Sequence, residues 1–314
     1  MLKRIFKKIR YELQFNNTQY YTRISEKVFK RRYQKLLAKK VRLLPPLVLQ
    51  TENAEVTLAI LANKRNFYES VAALYSFCFW DRNIVIHYHE DGTLTQADME
   101  LLNQIFPGIV VFHRSAQNIK VRDLLLRKGL DKCAQLRDHF IFSLRLFDMI
   151  IEKKTPYLLQ IDSDVLFFSR PTEIWDVILR GQLNGCYNKD LENAAYTFNN
   201  ETIGRYLQVP VLKQVNAGVF LHNFDEALFS FSEDILEHEP DAAKSWHLEQ
   251  TLFAMFASYK GGFAELPKQY DLGRRERALG HEIISEHYVH STGHDFHRDF
   301  IYKCIPQYKQ SGTN

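Results

Sequence analysis

The sequence predicts an α/β fold: a mostly parallel sheet covered by helices, preceded by a basic helical extension. Three observations predict it. Short apolar runs alternate with amphipathic stretches at the spacing of βαβ units. One of those runs ends in two aspartates, Asp162 and Asp164, separated by Ser163. Basic charge is confined to one end: residues 1–50 hold 14 Lys or Arg against 2 Glu, whereas the remainder holds 27 against 35 Asp or Glu.

Taken in order, residues 1–44 read as helical. Leu2, Ile5, Phe6, Ile9 and Leu13 recur at three- and four-residue steps among lysines and arginines, and Pro45-Pro46 ends the pattern. The division expected is a basic segment over 1–50 and a main domain over 51–314. The basic stretch fits a solvated helix packed on that domain, a nucleic-acid arm, or a peripheral contact with anionic lipid. Interfacial aromatics such as Phe6 and Tyr11 favour the last, and no nucleic acid is expected. Val56–Leu61 suits a buried strand and Phe67–Phe79 the helix after it. Asn83–Tyr88 reads as a second strand, running to Glu90-Asp91-Gly92. Thr95 with Asp98 resembles a capping box that opens a helix to Ile105. Gly108–His113 is a third strand, 116–129 and 131–151 are helices, and Tyr157–Ile161 is a fourth strand feeding into Asp162.

Composition narrows the class. A 314-residue chain, 46% hydrophobic, can bury a sizeable core. No run approaches the roughly 20 apolar residues needed to span a bilayer, and no signal-peptide core is visible, so a cytoplasmic protein, peripheral at the inner membrane face, is expected. Cys78, Cys133, Cys186 and Cys304 are scattered, which argues against a disulfide framework or a zinc ribbon. Neither G-x-x-x-x-G-K-[ST] nor G-x-G-x-x-G occurs, which argues against P-loop and dinucleotide chemistry.

In an open parallel sheet, ligands collect at the carboxyl ends of the strands, where Asp162 lies. Two carboxylates after a buried strand are costly unless something pairs them. A hard divalent cation carrying phosphate would do so, and Mn²⁺ or Mg²⁺ suits oxygen ligands. By itself the D-x-D pattern fits a turn or a helix cap equally well; the flanking strand and the apolar run Val165–Phe168 give it an address.

The stretch from Arg137 to Pro171 resembles the donor-binding segment of GT-A glycosyltransferases, and most closely family eight, which includes lipopolysaccharide galactosyltransferases and glycogenin. Three further segments resemble that family in order: Val215-Asn216-Ala217-Gly218-Val219, His247-Leu248-Glu249-Gln250, and Val289-His290-Ser291-Thr292-Gly293. The resemblance implies a metal held by Asp162, Asp164 and His290, bridging the diphosphate of a nucleotide sugar, UDP-sugar first. It implies nucleotide contacts from Ala62, Asn63, Arg65 and Tyr68, phosphate contacts from Arg137 and Arg145, and a pocket lined by Ser163, Ala217, Gly218 and Gly293. Asp91 is a further nucleotide candidate. Glu249, Gln250 and Asn216 are the implied catalytic residues. The family pattern H-x-x-G-x-x-K has Phe296 at its last position here, and Arg298 is the substitute cation for the leaving diphosphate. The acceptor would be a glycan or glycolipid hydroxyl, with residues 188–212 shaping its site and cell-surface glycan assembly as the setting. The competing readings are a nucleotidyltransferase of similar architecture and a membrane-surface scaffold with a degenerate site. Ala62-Asn63-Lys64-Arg65 lacks the glycines that the first needs.

Overall fold

A computed structural model describes residues 31–190, 196–273, 275–289 and 293–311. Ten strands occur among them: β1 Val56–Ala62, β2 Val85–Glu90, β3 Val110–His113, β4 Tyr157–Ile161, β5 Val165–Phe167, β6 Gly185–Lys189, β7 Val215–His222, β8 Phe263–Glu265, β9 Tyr270–Leu272 and β10 Ser285–His287. Seven of them form one sheet in the order β3-β2-β1-β4-β7-β6-β8, and β5-β10-β9 form a second. Strands β1 to β4 pair in parallel, as expected; β7 runs antiparallel to both β4 and β6. The fold is therefore mixed α/β with a mostly parallel principal sheet.

The central strands β1, β4 and β7 are mostly apolar and almost wholly buried because both faces are covered. Strand side chains alternate in direction, so neighbours enter different layers. Leu58 and Ile60 of β1, with Leu159 and Ile161 of β4, join a core that contains Phe67, Val71 and Phe77. Ala59 and Leu158, on the other face, join a core that contains Leu125, Phe147, Phe220 and Phe253. The first layer is built by helix Phe67–Trp80 and the C-terminal residues Phe296 to Tyr308, and the second by helices between 114 and 152 with Leu248–Lys260.

Local chemistry sets several boundaries. Asp98 accepts the backbone N–H of Thr95 at 2.8 Å, so the capping box forms and helix Gln96–Ile105 starts there. Lys64 also reaches Asp98, at 2.6 Å, tying the loop after β1 to that helix. The single helix expected over 131–151 is instead three pieces: Asp131–His139, Ser143–Leu146 and Asp148–Glu152. Phe140, with extended backbone, interrupts it after His139. Phe140 and Phe142 pack edge-on against each other while Phe147 packs against Phe229, and this tertiary packing overrides the helical propensity of the run.

In the N-terminal extension, residues 31–41 are helical. Leu37, Val41, Leu44 and Leu47 are buried in the first core layer, so this part is packed against the main body. Residues 1–30 lie outside the described part. All four cysteines are free and buried.

Candidate active site

The D-S-D turn is the passage between the two sheets. Asp162 leaves β4 in the principal sheet, and Asp164 enters β5 in the small one. Its backbone is fixed at both ends: Asp162 N–H donates to Gly218 O at 2.9 Å, and Asp164 O accepts Tyr288 N–H at 2.9 Å. The antiparallel register of β5 and β10 sets His287 opposite Val165, beside Asp164. His287 Nε2 then lies 3.2 Å from Asp164 Oδ1 and 3.4 Å from Asp162 Oδ2. Each of the three residues offers a ligand atom, and these atoms all lie within 4.8 Å of one another. The aspartate side chains are 33% and 41% exposed and the imidazole is buried, so the group opens to solvent on its carboxylate side.

The hydrogen bonds define which nitrogen of His287 carries a proton. Asn216 Oδ1 accepts Gly218 N–H at 2.9 Å, while Asn216 Nδ2 faces Asp190 at 3.3 Å. The amide is thereby oriented with its oxygen towards His287 Nδ1, 3.0 Å away. Nδ1 must donate, which turns the Nε2 position to the carboxylates. Burial opposes a charged imidazole, but Asp164 and Asp162, with Asp190, outweigh it and hold the pKa above its ordinary value. Gly218 makes room for this ring: a Cβ there would lie 2.3 Å from two imidazole atoms. The adjacent residue of β10, Glu286, is fully buried and pairs with Arg277 at 2.6 Å. Arg277 also binds Asp299, and Tyr288 donates to Asp299 at 2.8 Å, so β10 is tied to the C-terminal helical segment.

Arg145 forms the other wall. Its Nη1 donates to Asp162 Oδ1 at 2.7 Å, its Nε to Gln160 at 3.0 Å, and its Nη2 to Ala217 O. Glu249 lies 3.1 Å from Nε. Burial pushes the Glu249 carboxyl up to about 7, against the pull of Arg145 and with the help of Asp162. The same carboxylates raise the pKa of Arg145 despite its burial. Gln250, one residue on, accepts Ala217 N–H at 3.2 Å and donates to Asp190 at 3.2 Å.

The structure thus brings together Asp162, Asp164, Arg145, Asn216, Ala217, Gly218, Glu249 and Gln250. Ser163 accepts Asn66 Nδ2 at 2.7 Å, which joins the loop after β1 to the acidic turn. In that loop Asn63 caps its own turn, accepting Arg65 N–H at 2.8 Å, and Ala62 ends β1 buried. Tyr68 is engaged by Arg42 of the N-terminal segment, through its hydroxyl and its ring face. Arg137 is not in the site. It is fully buried, with its guanidinium held by Asp148 at 2.7 and 2.9 Å and by Asn118 at 2.8 Å. Arg298 is paired with Asp295 at 2.7 Å within its own helix, which begins at Gly293. Asp91 holds Thr93 in a turn. His290 lies outside the described residues.

Three participants escaped the sequence reading. His287 sits in a Ser-Glu-His strand without glycine nearby. Asn66 follows the candidates at 62–65 by one residue. Asp190 fell inside the 188–212 stretch without being singled out. A register shift between Tyr187 and Asn188 bends β6 and delivers Asp190 to Asn216 and Gln250. Opposite it, Gln214 adopts a φ of 54°, a strained conformation for a non-glycine residue, and its carbonyl accepts Asp190 N–H at 2.6 Å.

This arrangement of sheets is that of the GT-A glycosyltransferases. Among solved structures it is similar to mouse xyloside xylosyltransferase 1, with TM-score 0.51 and 13% identity over 76% of this chain and 98% of that one. It is equally similar to the galactosyltransferase LgtC, with TM-score 0.51 and 12% identity over 78% and 94%. The glycosyltransferase GlyE of Streptococcus pneumoniae TIGR4 gives TM-score 0.51 and 12% identity, over 82% of this chain and 64% of that one. No family model matches the chain, and a search of curated proteins finds no match.

Proposed function

We propose that this chain is a metal-assisted glycosyltransferase that moves a sugar from a nucleoside diphosphate, UDP in the first instance, to a hydroxyl of a glycan or glycolipid. The observation that carries the reading is the convergence of Asp162, Asp164 and His287 at the junction of the two sheets, beside the Arg145–Glu249 pair.

The donor set fits a divalent cation. Two carboxylates and an imidazole suit Mn²⁺ or Mg²⁺, with Mn²⁺ the better match to the nitrogen ligand. The Asn216 contact presents Nε2 to the shared position. Asp162, Asp164 and His287 would hold the ion, which supplies charge neutralisation as a diphosphate leaves. The rest falls to the protein. Arg145 fixes the Asp162 carboxylate and keeps Glu249 within the site. Glu249, Gln250 and Asn216 line the sugar side, where their polar atoms meet donor hydroxyls and the charge that develops at the reacting carbon. Ala62, Asn63, Arg65 and Tyr68, joined to the acidic turn through Asn66, lie where the nucleoside would rest. Gly293 and Arg298, on the helix Gly293–Asp299, would face the diphosphate in this reading, with Arg298 released from Asp295. Arg137 is not assigned a ligand role. In this reading lipid contact falls to residues before Tyr33, where packing against the core begins. Among the described residues no helix is long and apolar enough to cross a membrane.

The test is Asp164→Ala. Hydrolysis of UDP-glucose or UDP-galactose with Mn²⁺ should fall at least a thousandfold, Mn²⁺ binding in the presence of UDP should disappear from calorimetry, and the circular dichroism should not change. Wild-type turnover that persists at full rate in EDTA would overturn the assignment.

A further inference from the structure

Trp246 is the one tryptophan of three whose ring stands in solvent, at 64% exposure. A single exposed indole is ordinary, but this one is held in place. Its Nε1 donates to His247 Nε2 at 2.8 Å, and its ring makes an edge contact with Phe142 at a centroid distance of 6.4 Å. Phe142 in turn packs against Phe140 at 5.6 Å. Both anchors lead into the site. Trp246 precedes Glu249 by three residues, and Phe142 precedes Arg145 by three. Glu249 and Arg145 are the pair that meets at 3.1 Å beside Asp162. Three residues span at most about 10 Å of chain. Two independent segments therefore place the aromatic group beside the site, each within about 10 Å of chain from the residues that would surround the donor.

We infer that the Trp246 ring is the platform on which the acceptor pyranose stacks; this rests on the glycosyltransferase reading above. One face of a β-gluco- or β-galactopyranoside carries several axial C–H groups and no axial hydroxyl, while indole has a negative ring face that attracts them. An indole whose polar N–H is already satisfied offers that face without competing for the sugar's hydroxyls. Its pinned orientation means that little conformational freedom is lost on binding. The partner is therefore a sugar with an unsubstituted apolar face.

The experiment compares Trp246→Ala, Trp246→Phe and the remote control Tyr259→Ala, which is equally exposed. The probes are methyl β-D-glucopyranoside, methyl β-D-galactopyranoside and methyl α-D-mannopyranoside, with UDP-sugar and Mn²⁺. Trp246→Ala should raise the KM of the best-accepted glycoside at least tenfold while moving the donor KM less than twofold. Trp246→Phe should restore it to within threefold, and Tyr259→Ala should leave both constants alone. A glycoside KM within twofold of wild type in Trp246→Ala, or a loss shared equally by the donor KM, overturns the platform. Failure of the wild-type protein to hydrolyse any UDP-sugar would instead speak against the glycosyltransferase reading itself.

Discussion

Arg137 and Arg145 stand eight residues apart on what reads as one helix, and the fold gives them opposite fates. Arg137 is sealed in the second core layer with Asp148 and Asn118 as partners. Arg145 reaches the end of β4 and grips a carboxylate that faces solvent. The cause lies between them. Extended backbone at Phe140 ends the first helical piece, and a separate short helix begins at Ser143 and ends at Leu146. The comparison teaches that charge at a plausible spacing from a motif carries no direction; the aromatic break decides which arginine turns to the site.

The largest expected effect separates the two on function. Arg145→Met should lower kcat/KM for UDP-sugar turnover by a hundredfold or more, because Asp162 and Glu249 lose their shared cation. Arg137→Met, measured per folded molecule, should leave kcat/KM within threefold. Equal losses would erase the distinction. The second effect separates them on stability. Removing Arg137 strands Asp148 in the core, and breaking such a buried pair costs about 3–5 kcal/mol. Urea unfolding should show that loss, and replacing Asp148 by Leu in the same chain should recover much of it.

The smallest effect sharpens the Arg145 side. In metal-free protein Glu249 holds its proton up to about pH 7, whereas the unfolded chain releases it near pH 4.5. Below pH 4.5 both states are protonated and this group leaves stability intact. As pH climbs from 4.5 to 7 the unfolded state sheds the proton first, so stability falls, by about 3 kcal/mol given 1.36 kcal/mol per pKa unit. Above pH 7 the effect levels off. The stability of wild type relative to Glu249→Gln should thus decline between pH 4.5 and 7. A difference that stays flat over that range would show that Glu249 is ionised throughout, like an ordinary paired carboxylate.

Much of the architecture was legible. Strands β1 to β4 and the capping box at Thr95 follow from apolar runs and turn chemistry, which are local properties. Strand β7 was legible as an apolar stretch, but its antiparallel direction was not, because direction is set by pairing between distant segments. The D-S-D turn and the Asn216–Gly218 and Glu249–Gln250 segments were legible through the resemblance as a set. Their geometry was not. Gly218 read as room for a ligand, whereas its nearest neighbour is the His287 ring. His287 itself gave no signal, since what brings it to Asp164 is the pairing of β10 with β5, across 120 residues of chain. Asp190 depends on a register shift in β6 that no local pattern announces.

That pairing has a consequence for how the chain tolerates change. Along β10 the side chains alternate between an imidazole on one side and a carboxylate, Glu286, on the other. Sliding the strand by a single step would exchange them and put a third acid where a nitrogen belongs. Insertions in the loop before residue 285 leave the centre's chemistry untouched, whereas one residue gained or lost inside Ser285–His287 rewrites it.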